Sequence, residues 1–409
     1  MQNLNPRIKP GLPDVTDTRE RRGREPLNNG LSVSACLAAG QLARRADIEP
    51  PAAEDAAAAA VNLGHLRASR FTTLTEILEG CARSEFGHDP WAWPTNDAVR
   101  SGLATFGFAD AFRSIADTAF KEGFDSVPNP RNSPWLQRVE LNNFRLGDIV
   151  GVESAGRLKR LARGQEAETA GGETKREVGR VMRFSRQMFI DEQDVTDDDV
   201  SSLMRQARQL GVDAVQTVRD LIVSTLLANR SLLVTGRALM NSTDGNSVST
   251  ALTSDSLADA RQWMGEQTTG TTAESRPSHV RPVALVVPPA LESAGRAAIQ
   301  SQQILTNSNG NGVEADVGVN LEVWPELAAG YENTDPRDDQ TKYVGSDSQW
   351  YLTGSPGPIG LLGRRESWLE PRTSAAPETV NRWGTGYGVT LDANAVALDY
   401  RAIYRGGAS

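Results

Sequence analysis

The sequence predicts an α+β chain organised around an extended two-stranded hairpin that feeds one long helix. Two apolar-rich stretches, Val139 to Glu153 and Glu177 to Ile190, flank a polar tip containing four glycines. An apolar stripe then runs at helical spacing from Val200 to Leu226. Beyond Asn241, short strand patterns and short helical patterns alternate.

Taken in order, residues 1 to about 30 are rich in Pro, Gly, Asn and charge, and they carry too little apolar surface to fold alone. They predict a flexible arm that orders against a partner. Leu31 to Arg45 and Ala52 to Leu66 read as helices, with Pro50 and Pro51 as the breaker between them. Thr73 and Glu76 have capping-box spacing, and Leu74, Ile77, Leu78 and Cys81 then share a face, which makes Cys81 a core residue. His88 to Pro94 reads as a rigid aromatic loop. A helix is expected from about Phe108 to Glu122, capped by Gly123.

Pro128, Pro130 and Pro134 break the chain before the first arm of the hairpin. Arms of about 15 to 20 residues reach roughly 50 Å at strand spacing. A ribbon of that length is marginal alone, and the sequence offers no obvious second layer for it. The helix that follows starts at Thr196 with Asp197, Asp198 and Asp199 at its positive end. Val200, Met204, Ala207, Gly211, Ala214, Val218, Leu221 and Thr225 form its stripe, widened by Leu203, Val215, Ile222 and Leu226. About 30 residues give it a length of about 45 Å.

After the loop at Asn241, helices are expected over Ser254 to Glu266 and Ala290 to Gln302, and strands at Val283 to Val287, Leu321 to Pro325, Trp350 to Thr353 and Ile359 to Leu362. Asn307 to Gly312 reads as a tight turn. Gly384 to Gly388 reads as a turn or bulge, Tyr387 to Arg401 as a long strand and Ala402 to Gly406 as a short tail.

Composition removes several function classes. The 409 residues carry a net charge of −9, which argues against a dedicated nucleic-acid binder. No apolar run reaches the roughly 20 residues of a membrane span, and the N-terminus has no apolar signal core, so a cytoplasmic product is expected. Cys36 and Cys81 show no CxxC spacing, and His65, His88 and His279 read as surface or packing residues. No phosphate-binding loop, nucleophile elbow, HExxH or calcium loop is present. Ser355 lacks an elbow context, His279 lacks a carboxylate at useful spacing, and the pair Asp338 and Asp339 lies in a hydrophilic loop. No catalytic residue, cofactor or metal site is expected.

The order of elements resembles the major capsid proteins of tailed bacteriophages with the Hong Kong 97-type fold, most closely the branch found in Mu-like prophages behind a prohead protease. The resemblance lies in Phe71 to Ala82, Phe106 to Phe120, Arg180 to Asp191, Leu285 to Glu292 and Val396 to Tyr404. It implies an N-terminal extension and arm over 1–103 and a helix and linker over 104–138. The extended hairpin then occupies 139–190. A spine-helix domain follows over 191–270, completed by 385–401, with an axial-type domain over 271–384 and a tail over 402–409. It further implies a homo-oligomeric shell of pentamers and hexamers that encloses DNA in a virion assembled in the bacterial cytoplasm. Portal, scaffold, protease and decoration proteins are the implied partners. The hairpin tip would lie on a neighbouring copy, pairing Arg157, Lys159, Arg160, Arg163 and Lys175 against Glu166, Glu168 and Glu173. Lys159 and Lys175 are available for the covalent crosslink some relatives make, and none is expected here. An encapsulin compartment shares the fold, and a soluble α/β enzyme is the reading from another class.

Overall fold

A computed structural model describes residues 33–46, 77, 106–152, 160, 166, 174–191, 194, 200–269, 276–306, 312–314, 318–332, 342–376 and 384–407. Helices α1 (Val33–Ala46) and α2 (Phe106–Ser126) come first. Four strands follow: β1 (Leu136–Leu141), β2 (Gly147–Val152), β3 (Thr174–Gly179) and β4 (Met182–Asp191). The long helix α3 (Val200–Leu227) precedes α4 (Ser254–Glu266), β5 (Thr268–Thr269) and β6 (Arg276–Pro277). Next come β7 (Arg281–Val287), α5 (Glu292–Gln303), β8 (Ile304–Thr306), β9 (Gly312–Glu314), β10 (Asn320–Val323) and the short α6 (Pro325–Ala329). The last elements are β11 (Tyr331–Glu332), β12 (Lys342–Tyr343), β13 (Trp350–Ser355), β14 (Ile359–Arg364), β15 (Arg372–Ala376), β16 (Gly384–Ala397) and β17 (Ile403–Gly406). They fall into two compact units. One takes Met1–Pro128, Ser185–Ala214 and Arg372–Thr390, and the other Asn129–Phe184, Val215–Pro371 and Leu391–Ser409.

The core of the first unit is helical. α2 buries Phe112, Ile115, Ala116, Ala119 and Phe120, spaced by threes and fours, against Ala39 and Leu42 of α1 and Met204 and Ala207 of α3. Ile77, in the segment expected to be helical from Thr73, is helical and buried in the same cluster. Gly123 is not the cap of α2, which runs on to Ser126. A side chain at Gly123 would strike the Arg208 carbonyl, and one at Gly211 would strike the Phe120 carbonyl. The two glycines let α2 and α3 cross at close quarters. Tyr387 of β16 is buried here, and its hydroxyl donates to Asp117 Oδ1 at 2.9 Å. Burial, with the Asp117 charge behind it, pushes the phenol far above its ordinary pKa.

The second unit holds a four-stranded sheet ordered β10-β7-β13-β17, with β10 parallel to β7 and the other neighbours antiparallel. The run Ala284-Leu285-Val286-Val287 is continuously apolar because both faces of β7 are covered. Leu285 and Val287 pack with Leu257 and Met264 of α4 and Ile299 of α5. Ala284 and Val286 share a second cluster with Val218, Ile222 and Leu226 of α3. The α4 helix starts at the expected residue, with Thr253 and Ser256 forming its capping box. The residues expected as a short tail form β17, paired to β13, with Ala402, Ile403 and Tyr404 buried. Their short apolar run finds a sheet edge that local sequence does not announce.

On α3, the buried Arg219 makes a two-pronged ion pair with Glu326 of α6, Nε to Oε1 at 2.6 Å and Nη2 to Oε2 at 3.0 Å. The Arg219 guanidinium lies 4.3 Å from the centre of the Trp324 ring. Trp324 and Trp135 both donate their indole N–H to Glu322 Oε2 at 3.1 Å. Burial pushes the Glu326 carboxyl up, but the Arg219 fork outweighs it and leaves the pKa below the usual value. Asp220 has no such fork, and burial raises its pKa despite a hydrogen bond from Gln216.

The hairpin differs most from expectation. The strand expected over Val139 to Glu153 is two strands, β1 and β2, and the one expected over Glu177 to Ile190 is also two, β3 and β4. β1 lies parallel to β14, and β4 pairs with β16. Only β2 and β3 pair with each other, from Gly147↔Gly179 to Val152↔Thr174, a ribbon of about 20 Å. The lower half of each arm therefore has cover within the chain, which corrects the ribbon without a second layer. An apolar strand pattern does not reveal a change of partner midway along it. Gly384 to Gly388 is likewise strand rather than turn, because β15 supplies a ladder opposite Gly386 and Gly388.

Candidate intersubunit surface

The root of the hairpin is built by close packing and by one buried acid. A side chain at Gly179 would lie 2.6 Å from Leu362 and 3.2 Å from Ile149, so glycine lets β3 sit against β14. Beyond it, Arg176 reaches across to Asp148 Oδ1 at 2.8 Å on the exposed face of the ribbon. Asp392 of β16, its side chain wholly buried, accepts from Arg183 Nε at 2.8 Å and Nη2 at 3.1 Å, with Arg364 Nη1 at 3.8 Å. Phe144, in the bend between β1 and β2, faces both guanidinium groups, at 4.8 Å from Arg183 and 5.6 Å from Arg364. One acid on β16 thus fixes β4, β14 and the bend from which the hairpin leaves.

A second tie joins the hairpin to the segment after α3. Glu177 of β3 is 3% exposed, and its Oε2 accepts the Val234 backbone N–H at 3.2 Å. Its Oε1 has no hydrogen-bond partner among the described residues. Around these ties the surface is apolar in places: Phe144, Leu146, Leu233 and Val234 are all exposed.

Of the charged residues expected to meet a neighbouring copy, Arg160 and Glu166 are exposed, and Lys175 lies in β3 opposite Gly151. Arg157, Lys159, Arg163, Glu168 and Glu173 lie outside the described residues. Sequence reasoning missed Asp392, Arg183, Phe144 and Glu177. A signal for the first existed: Asp392 interrupts the apolar strand pattern Val389 to Val396, and an acid placed there needs a cation.

Among the described residues no group of three or more His, Cys, Asp and Glu side chains is placed to hold a metal ion. None of their helices is long and apolar enough to cross a membrane. The depression along α5 is walled by Glu292, Ser293, Arg296 and Gln300, a polar outer face without converging catalytic groups. His279 is exposed.

Comparison with known proteins gives three findings. No curated protein matches the sequence. Among solved structures, the mature capsid of bacteriophage PhiM1 aligns over 68% of this chain and 87% of its own at 13% identity and a TM-score of 0.43. The capsid of cyanophage P-SCSP1u aligns over 66% and 86% at 9% identity and a TM-score of 0.42, and the SrpI encapsulin of Synechococcus elongatus over 68% and 89% at 13% and 0.39. The assignment rests instead on a family model described as phage capsid protein, which matches residues 173–406, from the descending arm of the hairpin to the last strand, β17. The chain belongs to the phage capsid protein family.

Proposed function

We propose that the protein is the major capsid protein of a tailed bacteriophage, of the Hong Kong 97 type, whose copies close as pentamers and hexamers into an icosahedral shell around double-stranded DNA. The observation that carries this reading is the family match over residues 173–406. A capsid protein works by contact between copies, so no reaction is assigned to it. The balance of −9 suits a container that does not grip its cargo. The hairpin β2–β3 is the strap between copies, and its tip offers both charge signs, Arg157, Lys159, Arg160 and Arg163 against Glu166, Glu168 and Glu173. The order of the elements supports placing it in the Mu-like branch; portal, scaffold, protease and decoration proteins are its proposed partners, and the host cytoplasm its proposed place of assembly.

Negative-stain microscopy and sizing chromatography of the expressed protein test the reading. Closed particles carrying nuclease-protected DNA in the infected or induced host support it. Particles that carry a protein cargo and no DNA overturn the phage reading in favour of an encapsulin-type compartment. A species of 44.1 kDa, or its dimer, that never forms particles overturns both.

A further inference from the structure

We propose that Trp368 is a contact residue held back in the free subunit: on assembly its ring turns out of the segment between β14 and β15, and its indole N–H donates to an oxygen on a second copy. The inference rests on the capsid reading and names a surface outside the hairpin.

Residues 365–371 concentrate three unfavourable features around one turn, closed by the Glu370 N–H donating to the Ser367 carbonyl at 3.1 Å. Leu369 stands at φ 51°, in the left-handed region that bulky side chains avoid. Its side chain, 1% exposed, belongs to the same hydrophobic cluster as Trp135 and Leu361, and that burial holds the strained backbone in place. The hydroxyl of Ser367 and the indole N–H of Trp368 are both shut off from water, and neither has a hydrogen-bond partner among the described residues. A buried donor without an acceptor is destabilising, and a buried indole N–H normally finds one. Strain and unmet donors together raise the energy of this arrangement, so that one new contact suffices to displace it.

Trp368 is also lightly held. It rests against Gly363, where an added methyl would lie 2.7 Å from its Cδ1 and 3.2 Å from its Nε1. The guanidinium of Arg138 lies 4.2 Å from the ring centre. Arg138 is itself exposed, and its Nε donates to the exposed Glu140 Oε1 at 2.8 Å. A glycine backbone and an exposed guanidinium give the ring stacking but no acceptor. The chemistry of the missing partner follows, since an N–H and a hydroxyl call for an oxygen, a main-chain carbonyl or a carboxylate. Arg365, Glu366 and Glu370, which flank the ring in sequence, are all exposed. Charged residues of this kind form the rim around a tryptophan anchor at an interface. In a shell, copies of the same chain supply the facing surface.

Trp368→Phe keeps an aromatic ring and removes the N–H. Its isolated subunits should fold, by circular dichroism, while the yield of closed particles falls at least tenfold. Wild-type yield from folded subunits overturns the inference. Hydrogen–deuterium exchange on the unmodified protein decides the matter if that variant does not fold. The amides of residues 365–371 should exchange at least tenfold more slowly in particles than in free subunits. Equal rates in the two, in particles that form normally, overturn this inference and leave the capsid reading standing. Failure of the unmodified protein to form particles defeats the capsid reading, and the inference with it.

Discussion

Arg219 and Glu326 are about one-tenth exposed, so neither charge is well screened by water. Removing one leaves the other uncompensated. Glu326→Gln should destabilise the unassembled subunit by about 3 kcal/mol, read as a lower urea midpoint at unchanged slope. Asp220 carries the opposite sign. Its folded pKa lies above its unfolded one, so the folded state holds the proton more tightly and its stability falls as pH rises through the folded value. Asp220→Asn removes that loss. The stability of the variant relative to wild type should therefore increase between about pH 4 and pH 7, and a flat difference across that range would sink the account. At this scale the sequence was legible where burial follows period and silent where it follows partnership. Each stripe residue of α3 whose burial the structure describes is buried, as spacing foretold. The pairing of Arg183 with Asp392 spans 209 positions, and nothing local announces it.

Among elements, the crossing of α2 and α3 is the sharpest case, because backbone meets backbone there. Gly211→Ala places a methyl against the Phe120 carbonyl and should cost about 1–3 kcal/mol. Gly265 in α4 has nothing within reach of an added methyl. Gly265→Ala should leave the unfolding free energy unchanged or raise it by about 0.5–1 kcal/mol, read from the urea midpoint. Equal losses at both sites would mean the crossing is not as close as described. Sequence gave Gly123 the look of a cap because glycine serves equally at a helix end and at a helix crossing, and only the partner decides. The same ambiguity hid the break between β1 and β2. Phe144 and Leu146 read as strand residues, yet they are exposed in a bend where the chain leaves β14 for β3.

For the whole molecule the distinction between folding and assembling is what matters. The ties that hold the hairpin root (Asp392 with Arg183 and Arg364, Glu177 with Val234) all lie outside the tip at 153–173. A copy that lacks most of the tip should keep its folding free energy and lose its reach. Replacing Gly156 to Thr174 by a short glycine-rich turn should change the unfolding free energy of the subunit, read from its urea midpoint, by no more than about 0.5 kcal/mol, the range of surface changes away from packed features. The same change should abolish closed shells in the microscope, because it leaves a ribbon of five pairs, Gly147↔Gly179 to Gly151↔Lys175, without a tip to lie across a neighbour. Normal particles from the shortened chain would remove the tip from the contact between copies. A subunit that no longer folds would instead show that the tip belongs to the core of its own chain.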